Sequence, residues 1–138
     1  MAYEKQTDAS GKRIFKYRGK TIEELKLLEV REFAKLLTSR SRRTVLRGFQ
    51  KIETFLTRSK KKIAKGKPVK THQREIVVVP QMVGMKMQIH NGREFVPIEV
   101  VGEMLGHMLG EFAITRVKPK HEKKGVGATK GSKNKAKK

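Results

Sequence analysis

Apolar residues recur at helical spacing at Leu25, Leu28, Phe33, Leu36 and Leu37. That rhythm predicts one or two short helices over 22–37. The stretch "TIEE" begins them with a capping box, Thr21 as the cap and Glu24 three residues later. A second helical pattern follows at Val45, Phe49, Ile52, Leu56 and Ile63, with spacings of 4, 3, 4 and 7. It predicts one longer helix over about 40–64, closed by Gly66 and Pro68. The period then changes. "REIVVVP" is rich in β-branched residues and stops at Pro80, the pattern of a strand. In "MKMQIHNGREFVPIEV", Asn91-Gly92 is the residue pair preferred in type I′ turns. A hairpin of about 85–90 and 93–100 is predicted, with Met85, Met87 and Ile89 on one face. Phe95 need not share that face, because Pro97 marks the second strand as an edge or a bulge.

The stretch "VVGEMLGHMLGEFAITR" breaks both rhythms. Gly102, Gly106 and Gly110 fall at every fourth residue, with Glu103, His107 and Glu111 one step behind. A membrane helix with a glycine seam is excluded, since the apolar part is far short of the ~20 residues of a span. A metal-binding helix face is geometrically possible, because i and i+4 side chains are neighbours on a helix. Such a site needs further ligands, and the sequence offers none. A continuous helix is itself costly, at roughly 1 kcal/mol for each interior glycine. The cheaper solution is a short helix over about 101–105 ended by a left-handed Gly106. His107 to Phe112 would then form an irregular turn. Met104, Leu105, Leu109 and Phe112 would pack on the sheet, and Gly110 would permit a tight bend or a close backbone approach.

Charge changes the picture most. The 138 residues hold 34 Lys and Arg against 13 acids, a net charge of +21. Residues 38–74 carry 13 basic groups and 1 acid, and residues 117–138 carry 9 and 1, whereas residues 75–116 are net −2. An excess of this size implies a polyanionic partner, nucleic acid before a membrane surface. The absence of cysteine excludes disulfides, thiolate metal sites and a thiol nucleophile. The N-terminus lacks the apolar core of a secretory signal, so a soluble, cytoplasmic protein is expected. Residues 1–14 are polar and aperiodic, read as a flexible arm. Residues 118–138 are low in complexity and read as a basic tail, disordered when free. A single domain over 15–117 lies between them.

On the 40–64 helix, Arg43, Arg47, Lys51, Arg58 and Lys62 keep the apolar interval but stand two residues out of step. Two residues are about 200° of rotation, so a basic stripe lies opposite the apolar one. A merely solvated face would mix both signs, and Glu53 is the helix's one acid.

The stretch "NGREFVPIEVVGEMLGHMLGEFAITR" resembles the signature of the ribosomal protein S-nineteen family of the small ribosomal subunit. The matching positions are Asn91, Gly92, Arg93, Val100, Leu105-Gly106, Leu109, Gly110-Glu111-Phe112 and Thr115. Upstream, "KTHQREIVVVPQMVG" is also similar, through Lys70-Thr71, Arg74, Pro80 and Val83-Gly84. Together these cover about half the chain. "FKYRG", "RSRRTVLRGFQKI" and "GVGATKGSKNKAKK" resemble the archaeal and eukaryotic branch. Bacterial members usually carry a further basic residue beside the equivalent of Arg74, where this chain has Gln73 and Glu75.

The resemblance implies an α+β fold: a small mixed or antiparallel sheet with packed helices and extended basic termini. It implies binding to the 3′ domain of small-subunit ribosomal RNA, beside the S-thirteen family protein, with a tail toward the decoding centre that could meet transfer RNA. It implies a monomeric constituent of the subunit, with no cofactor or metal and no membrane partner. Arg40, Arg42, Arg43, Arg47 and Lys51 are then expected to clamp phosphates along one helix face. Lys60, Lys61, Lys62, Lys65 and Lys67 would supply a diffuse field. Lys70, His72, Arg74, His90, Asn91 and Arg93 would meet RNA near the sheet's end. Arg116, Lys118 and Lys120 would continue the contact into the tail. His107, in the signature turn, is equally suited to RNA contact and to a structural hydrogen bond; His121 lies in basic surroundings. Six Phe, two Tyr and no Trp argue against base-stacking platforms as the basis of binding. No grouping of nucleophile and base suggests an enzyme. The rival from another class is an architectural protein of DNA or chromatin, which shares the charge but leaves the signature unexplained.

Overall fold

The computed structural model describes residues 15–117. The arm at 1–14 and the tail at 118–138, with Lys118, Lys120 and His121, lie outside the described residues. Two short strands, β1 (Lys16–Tyr17) and β2 (Lys20–Thr21), pair antiparallel. Their turn, Arg18-Gly19, has positive φ at both positions, the signature of a type I′ turn. Helices α1 (Ile22–Leu27) and α2 (Val30–Leu36) follow. The Thr21 side chain accepts from the Glu24 N–H, and the Glu24 carboxylate accepts from the Thr21 N–H, so the predicted capping box is formed.

The predicted 40–64 helix is two helices, α3 (Ser39–Arg47) and α4 (Phe49–Ala64), separated by Gly48. Gly48 closes α3 by donating to the Thr44 carbonyl at 2.9 Å. After proline, glycine is the residue least favourable inside a helix, and here it marks the break. The buried face runs through Val45, Ile52, Phe55, Leu56 and Ser59. Ile63, placed on that face by the sequence pattern, is 46% exposed.

Strands β3 (Val69–Thr71), β4 (Lys86–His90) and β5 (Phe95–Glu99) form a mixed sheet in that order. β3 is parallel to β4, and β4 is antiparallel to β5. The inner face carries Val69, Thr71, Met87, Ile89, Val96 and Ile98; Met87 and Ile89 share it as predicted and are buried, while Met85, expected beside them, precedes the strand and is half-buried. Pro97 sits on an edge strand. The hairpin turn is wider than expected. His90 pairs with Phe95, leaving a four-residue loop in which Asn91 Oδ1 accepts from the N–H groups of Arg93 and Glu94, both at 2.9 Å. The Asn91 N–H donates to the Glu94 carbonyl at 3.0 Å, but the Asn91 side chain takes the Glu94 N–H that the Asn91 carbonyl would accept in a two-residue turn, so the loop closes by one backbone bond.

"REIVVVP" does not join the sheet. It forms an isolated antiparallel bridge, Val77 to Met108. Its backbone partners lie in the glycine-marked segment: Val78 N–H to His107 O, Gly106 N–H to Val78 O, Leu109 N–H to Ile76 O and Gly110 N–H to Arg74 O. That segment is built of two 3₁₀ turns, Gly102–Met104 and Leu109–Phe112. A turn of this kind cannot present a continuous ladder, so the extended segment is paired without becoming a strand. The expected short helix is one of those 3₁₀ turns, and Gly106 has φ +82°. Leu105 and Leu109 are buried; Met104 and Phe112 pack at the core's margin.

The core lies between the helices, this extended segment and the inner face of the sheet. Leu25, Phe33, Val45, Ile76 to Val79, Met82, Met87, Ile89, Val100, Leu105 and Leu109 make one cluster. Burying a side chain of this size contributes roughly 1.5–3 kcal/mol. The arrangement is the α+β fold expected.

Candidate nucleic-acid interface

One groove gathers much of the basic stripe. Lys51, Arg58 and Lys62 of α4 and Lys70 and His72 on the other bank line a cleft of about 430 Å³. The spacing of 7 and 4 brings the three helical cations to one side. Alternation on β3 turns Val69 and Thr71 inward and Lys70 outward. Phe55, Ser59, Val69 and Thr71 form the buried part of the lining, and no acid belongs to it. Ser59 Oγ is buried there without a hydrogen-bond partner in the structure. Lys51 also lines a neighbouring cleft with Arg47, where Glu75 is present. Lys60 and Lys61 line a further cleft with Arg58 and Glu53.

Arg40, Arg43, Lys65, Lys67, Arg93 and Arg116 are exposed. Among the described residues no Lys or Arg lies within 4.0 Å of a carboxylate; the close contact of this kind is a hydrogen bond between His107 and Glu111. The cations are thus not neutralised from within the described domain, and their field points outward.

Two of the arginines predicted to meet RNA have work inside the fold. Arg42 donates from Nε to the Ala34 carbonyl and from Nη2 to those of Lys35 (2.8 Å) and Leu37. It closes the C-terminal end of α2, where carbonyls lack helical partners. Arg74 donates to the His90 carbonyl at 2.9 Å and to those of Gly110 and Ala113 at 2.7 Å. It ties the hairpin's end to the last 3₁₀ turn, a task suited to the planar guanidinium fork. The sequence carries no local sign of this, since the partners are 16 to 39 residues away.

At the same end of the sheet three rings meet. The His72 and His90 centroids are 4.4 Å apart, His72 and Phe95 5.1 Å, and His90 and Phe95 4.9 Å. Lys70 Nζ stands 5.2 Å from the Phe95 centroid. Sequence reading picked out both histidines and Lys70 but not Phe95. A count of Phe, Tyr and Trp misses a cluster in which two rings are imidazoles. The His90 ring is oriented by the Gly92 N–H, which donates to Nδ1 at 3.0 Å.

His107 Nδ1 meets Glu111 Oε2 at 2.8 Å, while Glu111 Oε1 accepts from the Met108 N–H at 3.0 Å. The Met108 N–H, then His107, hold the Glu111 carboxyl below its ordinary pKa. The i, i+4 neighbours thus meet without a continuous helix. Among the described residues no three His, Asp or Glu are grouped as metal ligands, and no helix is long and apolar enough to cross a membrane.

The geometry is that of a small basic domain with an acid-free groove and a ring cluster beside it. A model of the family described as ribosomal protein S19 matches residues 41–121. The match runs from α3 through the groove, the sheet and the glycine-marked segment. Covering more than half of the sequence, it establishes that the chain belongs to the ribosomal protein S19 family, structural proteins of the small ribosomal subunit.

Proposed function

We infer that this chain binds the 3′ domain of small-subunit ribosomal RNA in the head of the subunit, chiefly through Lys and Arg contacts to phosphates. The observation that carries this is the acid-free groove between α4 and β3, with Lys51, Arg58, Lys62 and Lys70 on its walls. Phosphate neutralisation dominates affinity for nucleic acid, and structured RNA is recognised through backbone and shape. Family membership supports a place beside the S-thirteen family protein, within cytoplasmic ribosomes. Residues 118–138, with a net charge of +8, suit an RNA-lined path toward the decoding centre. "FKYRG" and the "RSRRTVLRGFQKI" stretch favour the archaeal and eukaryotic branch. The same family membership tells against an architectural DNA-binding role.

Two measurements test the reading. Native protein should sediment with the small subunit and not with DNA. Filter binding to a 3′-domain transcript should weaken with salt. Replacing Arg58 and Lys62 by Ala should flatten the logarithmic salt slope by about two phosphate contacts. An unchanged slope would remove the groove from the interface.

A further inference from the structure

We propose that the ring cluster of His72, His90 and Phe95 is a stacking platform for one unpaired nucleobase of RNA. This rests on the RNA-binding reading above and adds to it a ligand class that phosphate contacts do not require. The three rings come from three chain segments: His72 just after β3, His90 at the end of β4, and Phe95 at the start of β5, directly opposite His90. Alternation places them on the sheet's outer face, since Thr71, Ile89 and Val96 point inward. Hydrophobic burial alone would turn rings toward the core; here they gather on the solvent side, with His72 exposed and His90 and Phe95 half-buried.

The platform is held rigid. The His90 carbonyl accepts from Arg74, and the His90 ring accepts from the Gly92 N–H at Nδ1, which leaves the ring proton on Nε2. Two of the ring contacts are edge-to-face, so the rings brace one another. Charge around the cluster matches a nucleotide. Lys70 stands over Phe95, His72 and Lys70 line the basic groove, and Arg93 is exposed at the hairpin tip, against one loop acid, Glu94. A backbone followed along the groove would reach the rings with its phosphates already neutralised. The base must be unpaired, because a base inside an A-form helix keeps its faces covered by its neighbours. Splayed bases in loops and bulges are the ones that stack on side-chain rings.

The test uses the full chain and a 3′-domain transcript of small-subunit ribosomal RNA. His72→Ala removes an exposed ring and is expected to lower affinity roughly 5- to 100-fold with the salt slope unchanged, the range for losing one stacked base. His72→Phe should restore binding, and ultraviolet irradiation of the wild-type complex should join a base to His72 or Phe95. If His72→Ala binds like wild type, the platform is overturned and the phosphate reading stands. If His72→Phe is as weak as His72→Ala, the imidazole acts as a hydrogen-bonding group and stacking is overturned. If RNA affinity is untouched while incorporation of a neighbouring protein fails, the outer face is a protein contact and the platform is overturned. If wild type does not bind the transcript, both readings fall together.

Discussion

Arg74 and Gly110 hold each other by two hydrogen bonds running in opposite directions. The Gly110 N–H donates to the Arg74 carbonyl at 2.9 Å, and Arg74 Nη2 donates to the Gly110 carbonyl at 2.7 Å. The two backbones are close enough that a Cβ on Gly110 would sit 3.0 Å from Arg74 Cβ and 3.1 Å from its carbonyl oxygen. The last glycine of the repeat is therefore needed for room rather than for an unusual dihedral.

Gly110→Ala is expected to destabilise the domain by about 1–3 kcal/mol, the cost of overpacking. The neighbour cannot easily withdraw, because Arg74 is fixed by its own bonds to His90, Gly110 and Ala113. Arg74→Lys keeps the charge but cannot span three carbonyls, and should cost about 2–3 kcal/mol. Urea denaturation of each variant measures both. Wild-type stability in Arg74→Lys would show that the three bonds contribute little.

Neighbouring arginines on α3 should separate stability from binding. Arg42→Ala frees three carbonyls at the end of α2, and a loss of about 1–2 kcal/mol is expected. Arg43 is exposed and has no carboxylate partner among the described residues. Arg43→Ala should change stability by less than about 0.5 kcal/mol, while lowering RNA affinity and the salt slope by about one phosphate contact. Equal effects of the two substitutions on both readouts would refute the division of labour.

Features written into neighbouring residues were legible in the sequence. The Thr21 and Glu24 capping box, the inward alternation of Met87 and Ile89, and the edge position of Pro97 all depend on contacts a few residues apart. The positive φ of Gly106 followed from the cost of glycine inside a helix. The same cost applied to Gly48 would have divided the 40–64 helix, but the apolar period runs unbroken across it and concealed the gap. "REIVVVP" has strand composition, yet a strand needs an extended partner, and its partner is the short stretch from Gly106 to Gly110, which passes into a 3₁₀ turn at Leu109. The tasks of Arg42 and Arg74 could not be read, because an arginine aimed at carbonyls and one aimed at phosphates look alike in sequence. The ring cluster was hidden for a related reason: its members come together only when three separate segments align.

Gly106→Ala should destabilise the domain by roughly 1–2 kcal/mol. Its φ of +82° lies where L-residues are strained. An added Cβ would also meet Tyr17 Oη at 2.9 Å and Leu37 Cδ2 at 3.0 Å. Thermal or urea unfolding of the variant measures this. A gain in stability would mean that the turn can rearrange into helix.

Glu111 gives the fold a small pH dependence. Its carboxyl is held below the ordinary value of 4.5, first by the Met108 N–H and then by His107. A lowered folded pKa means stability that is fully present above the unfolded value. It is lost as pH falls through the folded one. Both side chains are about half exposed, so solvent screening keeps the effect near ~0.5 kcal/mol. The difference in stability between wild type and Glu111→Gln should therefore be constant above about pH 5 and shrink below the ordinary carboxylate pKa. A difference that grows on acidification would reverse the assignment.

Removing residues 118–138 separates anchoring from decoding. The segment carries 9 basic groups and 1 acid, while the buried cluster draws on residues from Leu25 to Ala113. The unfolding midpoint of the truncated chain is accordingly expected to match that of the full chain. Subunits reconstituted with it then discriminate two roles for the cationic tail. If the tail steadies transfer RNA or bridges RNA near the decoding centre, assembly proceeds normally and aminoacyl-transfer RNA binds less well or is selected less accurately. If the tail is an electrostatic anchor, assembly falters, most at high salt where phosphate contacts weaken, and completed subunits decode normally. Our reading expects the first pattern, because the proposed contacts of the groove and the exposed helical cations would give the domain its own hold on RNA. A lowered unfolding midpoint would instead show that the fold extends beyond Val117.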